Sequence, residues 1–166
     1  MSTTIARNEM KKIIPFALAS FTVPLLGGSD VATAQSGLED RLAAATRVDC
    51  RFTALATGRW DGAEATATLG DADLETSFFD IDVNEGTAEA DSALGAMFIV
   101  VRYSHGYLHF LEMSDAGPLH VTTVLAQETV DGRMKAVHTR HEYSPIELPG
   151  FTSRPEMYVG DCAVEG

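Results

Sequence analysis

The sequence predicts an all-β domain, an antiparallel up-and-down meander of about eight strands that closes into a barrel. Three observations carry this. Short β-prone runs recur from residue 48 onward, turn signals punctuate them about every 10–12 residues, and two of those turns are Asp-Gly pairs of the tight-hairpin kind. The 166 residues suit one domain, and 45% apolar with 22% charged side chains is an ordinary globular composition. Short connections make sequence neighbours antiparallel neighbours in space, and closure removes the exposed sheet edges. A two-sheet sandwich is the competing arrangement.

The chain starts with an address. Arg7, Lys11 and Lys12 precede the apolar run Ile13 to Leu26, Gly27 and Gly28 break it, and Ala32-Thr33-Ala34 supplies a small-x-small cleavage pattern. Residues 1–34 therefore read as a secretory signal peptide cut between Ala34 and Gln35. The run is shorter than the roughly 20 residues a bilayer-spanning helix needs, so no stable membrane anchor is expected after cleavage. The expected destination is the periplasm or the exterior. No cysteine lies near the cut to take a lipid, and no Arg-Arg pair marks the twin-arginine route.

Residues 35–166 then form the β-rich domain. Residues 37–46 give the one short helix, with Glu39 and Asp40 in its first turn and alanines after them. Strands are predicted at Val48–Trp60, Ala63–Leu69, Leu74–Val83, Thr87–Asp91, Ala96–Tyr103, Tyr107–Met113, Leu119–Gln127 and Arg133–Tyr143. Ser144 to Gly166, with Pro145, Pro149 and Pro155, reads as a loop before a short final strand around Met157 to Val164. Alternation places Asp80 and Asp82 on a wet face. The run Met97 to Tyr103 is apolar on both faces, which predicts a strand covered on each side, with the helix outside. Cys50 and Cys162 are the two cysteines. An even count in an exported chain reads as a disulfide, here closing a loop of about 112 residues.

The formal charge of −12 argues against nucleic acid as a partner, since its phosphates recruit positive charge. Chemistry-bearing residues concentrate between Tyr107 and Tyr143, where His109, His120, His138 and His141 lie, with His105 in the preceding turn. If the turns at Asp115-Ala116-Gly117 and Asp131-Gly132 are tight, Glu112 faces His120 and His109 faces Thr123. Arg140 then also faces Thr123, and His138 faces Leu125. Period-two alternation gathers Tyr107, His109, Thr123, His138 and Arg140 on one face, and Glu112, His120, Thr122, Thr139 and His141 on the other. Turned inward, the first row is a polar group in an apolar cup, suited to the acidic or hydrogen-bonding head of a small ligand. Turned outward, it is a solvated surface.

His138-Thr139-Arg140-His141 has H-x-x-H spacing, but on a strand those histidines point to opposite faces and cannot share an ion. No metal, cofactor or catalytic residue is assigned, since nucleophile-elbow, zinc-protease, P-loop and dinucleotide motifs are absent from the sequence. Three function classes follow: a non-enzymatic barrel binding a small, partly apolar ligand; a structural or interaction protein of the envelope with a filled interior; and a hydrolase or metal-dependent enzyme built on His109 and His138.

The runs Leu108-His109-Phe110, Thr122-Thr123-Val124, Asp131-Gly132-Arg133 and Ala136-Val137-His138-Thr139-Arg140-His141, with Tyr158, Gly160 and Cys162 near the end, resemble a group of short exported bacterial proteins of unknown function. That resemblance implies export, the disulfide and an all-β fold, and implies no substrate. Lipocalin-like, lipid-carrying barrels share the proposed architecture alone, which is no warrant for their function.

Overall fold

The computed structural model describes residues 29–92, 95–113, 118–143 and 154–166. The expected signal segment up to residue 28, the turn at residues 114–117 and the Pro145 and Pro149 stretch lie outside them. Eight antiparallel strands run in chain order around a closed barrel: β1 (Arg47–Asp61), β2 (Glu64–Asp82), β3 (Thr87–Ser92), β4 (Gly95–Ser104), β5 (Tyr107–Met113), β6 (Leu119–Glu128), β7 (Met134–His141) and β8 (Glu156–Glu165). The barrel, and not the sandwich, is the arrangement adopted. β8 returns to pair with β1 from Arg47↔Glu165 to Thr57↔Glu156.

Ala63–Leu69 and Leu74–Val83, expected as two strands, are one. Residues 70–73 read as a break, but β2 runs through them, with Leu55 opposite Gly70 and Ala54 opposite Asp71, beside a bulge in which β2 carries the extra residue. Asp80 adopts φ 49°, the left-handed region, and the β2–β3 register shifts there. This extra residue lets both Phe78 and Ile81 turn inward, while Asp80 and Asp82 stay exposed as expected.

β4 corrects the sequence reading. Ile99 and Val101 are buried, but Phe98 is 82% exposed and Val100 is 45% exposed, so the outer face is bare. The helix does not cover it. α1 (Ser29–Ala43) lies instead against the barrel end formed by the β4–β5 and β6–β7 turns. Leu42 and Ala45 enter the core, Tyr103 donates a hydrogen bond to the Glu39 carbonyl (3.1 Å), Gln35 donates to the Ala126 carbonyl (3.0 Å), and Arg41 pairs with Glu128. The helix begins upstream of the expected 37–46, and its contacting residues Gln35, Leu38, Glu39, Arg41 and Leu42 all follow the expected cleavage point.

From this end inward the barrel is filled by its own side chains. Val48, Val101, Leu108, Val124, Met134 and the stacked rings of Phe78 and Phe110 (4.0 Å between centroids) are fully buried. Cys50 and Cys162 are direct cross-strand partners on β1 and β8 and form the disulfide, as expected. A disulfide of this kind belongs to an oxidising, non-cytoplasmic setting. It spans a sequence separation of 112 residues. Replacing both cysteines by serine is expected to lower the free energy of unfolding by about 4 kcal/mol, read by urea denaturation of oxidised wild type against the double variant. A loss under about 1 kcal/mol contradicts the closing role given to this bridge.

Candidate functional site

Register decides what faces the lumen. Phe110 on β5 pairs with Thr122 on β6, Thr122 with His138 on β7, and His138 with Tyr158 on β8. Cross-strand partners share a face. Phe110, Thr122, His138 and Tyr158 are all buried, so this row faces in. Two residues further along each strand, the next inward row reads Glu112–His120–Arg140–Glu156. On its β5–β8 wall the barrel half away from α1 is therefore lined by polar and charged groups above the apolar side chains of Phe52, Phe78 and Phe110.

The groups are tied to one another. The Thr122 hydroxyl and His138 Nδ1 share a hydrogen bond of 2.8 Å. His120 Nε2 donates to Glu142 Oε1 at 2.5 Å, while its Nδ1 lies 4.0 Å from Glu112 Oε2, too far for a hydrogen bond. Tyr158 donates its hydroxyl proton to Glu156 (2.6 Å), and Arg140 lies 3.7 Å from the same carboxylate and 5.2 Å from the Tyr158 ring centroid. The His138 ring stands 5.6 to 5.8 Å from the rings of Phe52, Tyr158 and His120. Two nitrogens of this set, His138 Nε2 and Arg140 Nε, are buried without a hydrogen-bond partner.

Burial sets the protonation. His138 is pushed down to about 4, first by desolvation and then by Arg140 and His120, so it is neutral at pH 7. Burial raises the Glu112 carboxyl, against the pull of His120 and Arg140. Tyr158 is pushed up to about 12 by burial and by its bond to Glu156.

The five residues expected to form one row are split. His138 and Arg140 face in. Tyr107, His109 and Thr123 lie on the outer face, where His109 Nδ1 and Thr123 Oγ1 are 2.9 Å apart and Tyr107 stacks on His109. The β5–β6 register is as expected, with Glu112 opposite His120 and His109 opposite Thr123. The β6–β7 register is not: Arg140 lies opposite His120 rather than Thr123, and His138 opposite Thr122 rather than Leu125. The connection is not a two-residue Asp-Gly turn. Thr129 N–H donates to the Arg133 carbonyl across a wider loop, and a bulge follows between Val124 and Glu128. An odd slip moves a strand's whole polar set to the other face.

Glu112, His120 and Thr122 were placed together, but with Thr139 and His141, which lie outside. Glu142, Glu156 and Tyr158 were missed. Lys135 held the missing signal. A lysine seldom points into an apolar core, and turning it outward sends Met134, Ala136, His138 and Arg140 inward. With His109 outside and His138 inside, the two do not converge as an enzyme built on both requires. His141, bonded to Thr139 on the outer face, lies opposite in sense to His138. Among the described residues no group of three His, Cys, Asp or Glu is arranged to hold a metal ion.

Comparison with protein-family models, curated proteins and solved structures finds no match.

The buried histidine links stability to pH. Its folded-state value lies below the unfolded value of 6.5, so the unfolded chain takes up a proton first as pH falls. The contribution of neutral His138 is complete above pH 6.5, declines between 6.5 and about 4, and amounts to about 3 kcal/mol. Urea unfolding at pH 7, 5.5 and 4 is expected to show a shallower pH dependence for His138→Gln than for wild type. Equal slopes contradict a buried neutral His138.

Proposed function

We propose that this protein is an exported, non-enzymatic β-barrel that holds a small, partly apolar ligand in the polar half of its lumen. The observation that carries this reading is the inward row Glu112–His120–Arg140–Glu156 above His138, with two buried nitrogens lacking partners. A side chain needed only to fill space has no use for such groups. Leaving buried polar atoms unpaired costs stability, about 1–3 kcal/mol each, and sites that bind small molecules set a few polar groups in an apolar lining. Of the ligand-contacting residues expected from sequence, His138 and Arg140 remain in this proposal, joined by His120, Thr122, Glu112, Glu156 and Tyr158. Export is supported by the disulfide, by the basic and apolar N-terminal pattern with Ala32-Thr33-Ala34, and by the resemblance to short exported proteins; the location is the periplasm or the exterior.

Native mass spectrometry of the protein purified from the periplasm tests the reading. The expected spectrum shows a chain beginning at Gln35 with a bound organic molecule, which His138→Ala and Arg140→Ala variants lose while staying folded. A ligand-free wild type, or variants that retain the molecule, contradicts it.

A second reading, an interaction protein of the envelope, has one observation in its favour. Ala54, Ala56, Leu69, Met157 and Val159 line an open outer depression of about 150 Å³, and Leu69 is 89% exposed. Beside it, among the described residues, β2 between Glu64 and Ser77 is paired on one side only, to β1. A second copy is the occupant this reading names. Sedimentation velocity is then expected to show self-association that strengthens with salt, because salt screens the repulsion between acidic chains, and that Leu69→Glu abolishes. A monomer at every protein and salt concentration counts against it.

A further inference from the structure

The lumen's polar half has a sign, and it is negative. Among the described residues, three carboxylates, Glu112, Glu142 and Glu156, share this half of the barrel with the guanidinium of Arg140. Arg140 lies 3.7 Å from Glu156 and against the face of Tyr158, with its Nε–H unpaired. His120 lies between Glu142 and Glu112, and even when protonated leaves the acids in excess. Glu112 is the exposed account of the imbalance. Its side chain is only 14% accessible, and His120 Nδ1 stands 4.0 Å from it. A carboxylate taken out of water with so little compensation is costly, and a cation brought to it recovers much of that cost.

A second feature points the same way. His138 is 3% exposed, its Nδ1 is taken by Thr122, and its Nε2 has no partner. Nε2 is on the far side of the ring from Cβ, so on an inward-facing side chain it is directed at the lumen. In the tautomer that carries its proton on Nδ1, Nε2 offers a bare lone pair, an acceptor for an N–H group. An anion would find three like charges around a single guanidinium, the one whose Nε–H is unpaired.

Resting on the ligand-binding reading above, we infer that the ligand enters with a protonated amine, the cation seated against the Glu112 carboxylate and drawn toward the unpaired Nε2 of His138. This replaces the acidic or hydrogen-bonding head expected from the sequence with a cationic one. The replacement follows from the register, which exchanges Tyr107, His109 and Thr123 for Glu112, His120 and Glu156 around His138 and Arg140.

Three probes of one skeleton isolate the head group: benzylamine, benzoate and benzyl alcohol, titrated at pH 7 into the intact disulfide-bonded protein, with the His138 and His120 imidazole resonances observed by NMR. Benzylamine is expected to shift the His138 resonances saturably and to bind about tenfold more tightly than the alcohol, a charge-assisted advantage. Benzoate is expected to leave them unmoved. Glu112→Gln should remove the amine's advantage, read as the ratio of the amine's affinity to the alcohol's in the same variant, with a thermal melt confirming the fold; the wild-type comparison stands without it. Benzoate or the alcohol binding as tightly as the amine overturns the cation assignment and leaves a ligand-binding barrel. No saturable shift with any of the three overturns both.

Discussion

Everything inside this protein depends on one seam, the ladder by which β8 returns to β1. Until that pairing forms, the meander is an open sheet with two free edges, and no side chain is yet inside anything. The seam joins segments more than a hundred residues apart, so it carries a large loop-closure entropy that local turns do nothing to offset. The Cys50–Cys162 bridge sits within it, between residues already opposite one another in the ladder. Gly160 makes the same seam possible sterically. A Cβ there would fall 2.0 Å from the Arg51 carbonyl oxygen and 2.7 Å from the Phe52 Cα, so any side chain forces β1 and β8 apart where β1 bulges between Phe52 and Ala54.

Once the barrel is closed, bulges distribute the chemistry. The irregularity between Phe52 and Ala54 brings Leu55 opposite Tyr158, and that between Val124 and Glu128 turns His138 and Arg140 toward the lumen. The result is a barrel of two halves. Next to α1 the interior is filled by the apolar side chains of Leu42, Val48, Leu108 and Met134. Away from it, buried histidine, carboxylates and guanidinium partly neutralise one another and are left with unmet hydrogen-bonding capacity. The apolar half supplies the stability that lets the polar half carry such groups, since each desolvated charge draws on the burial energy of the core. Spending it on a polar lumen is consistent with a site rather than a filler.

Much of this architecture was legible in the chain. The hairpin at Ser104-His105-Gly106 is announced by residues that accept positive φ, and His105 and Gly106 both adopt it. Cys50 and Cys162, near the two ends of the domain, foretold a link between first and last strands. The β5–β6 pairing followed from hairpin arithmetic alone. What failed was local. Asp131-Gly132 looked like a tight turn but sits in a wider loop whose closure is set by Thr129 and Arg133, and the later bulge has no sequence mark of its own. Likewise Asp80 in the left-handed region interrupts an alternation that Phe78 to Val83 seemed to keep. Asp is among the few non-glycine residues that tolerate this conformation, but tolerance does not announce the bulge. Glu156 and Tyr158 were invisible as site residues because the β7–β8 register is set across a long connection, between His141 and Glu156, to which hairpin arithmetic does not apply.

The central claim is that β7 pairs with β6 so that His138 and Arg140 face the lumen. Cross-strand nuclear Overhauser effects between backbone protons of β6 and β7 read that register directly. Contacts pairing Thr122 with His138 and His120 with Arg140 are the predicted result. Contacts pairing Thr123 with Arg140 would place both residues on the outer face beside His109, and the polar lumen would no longer exist.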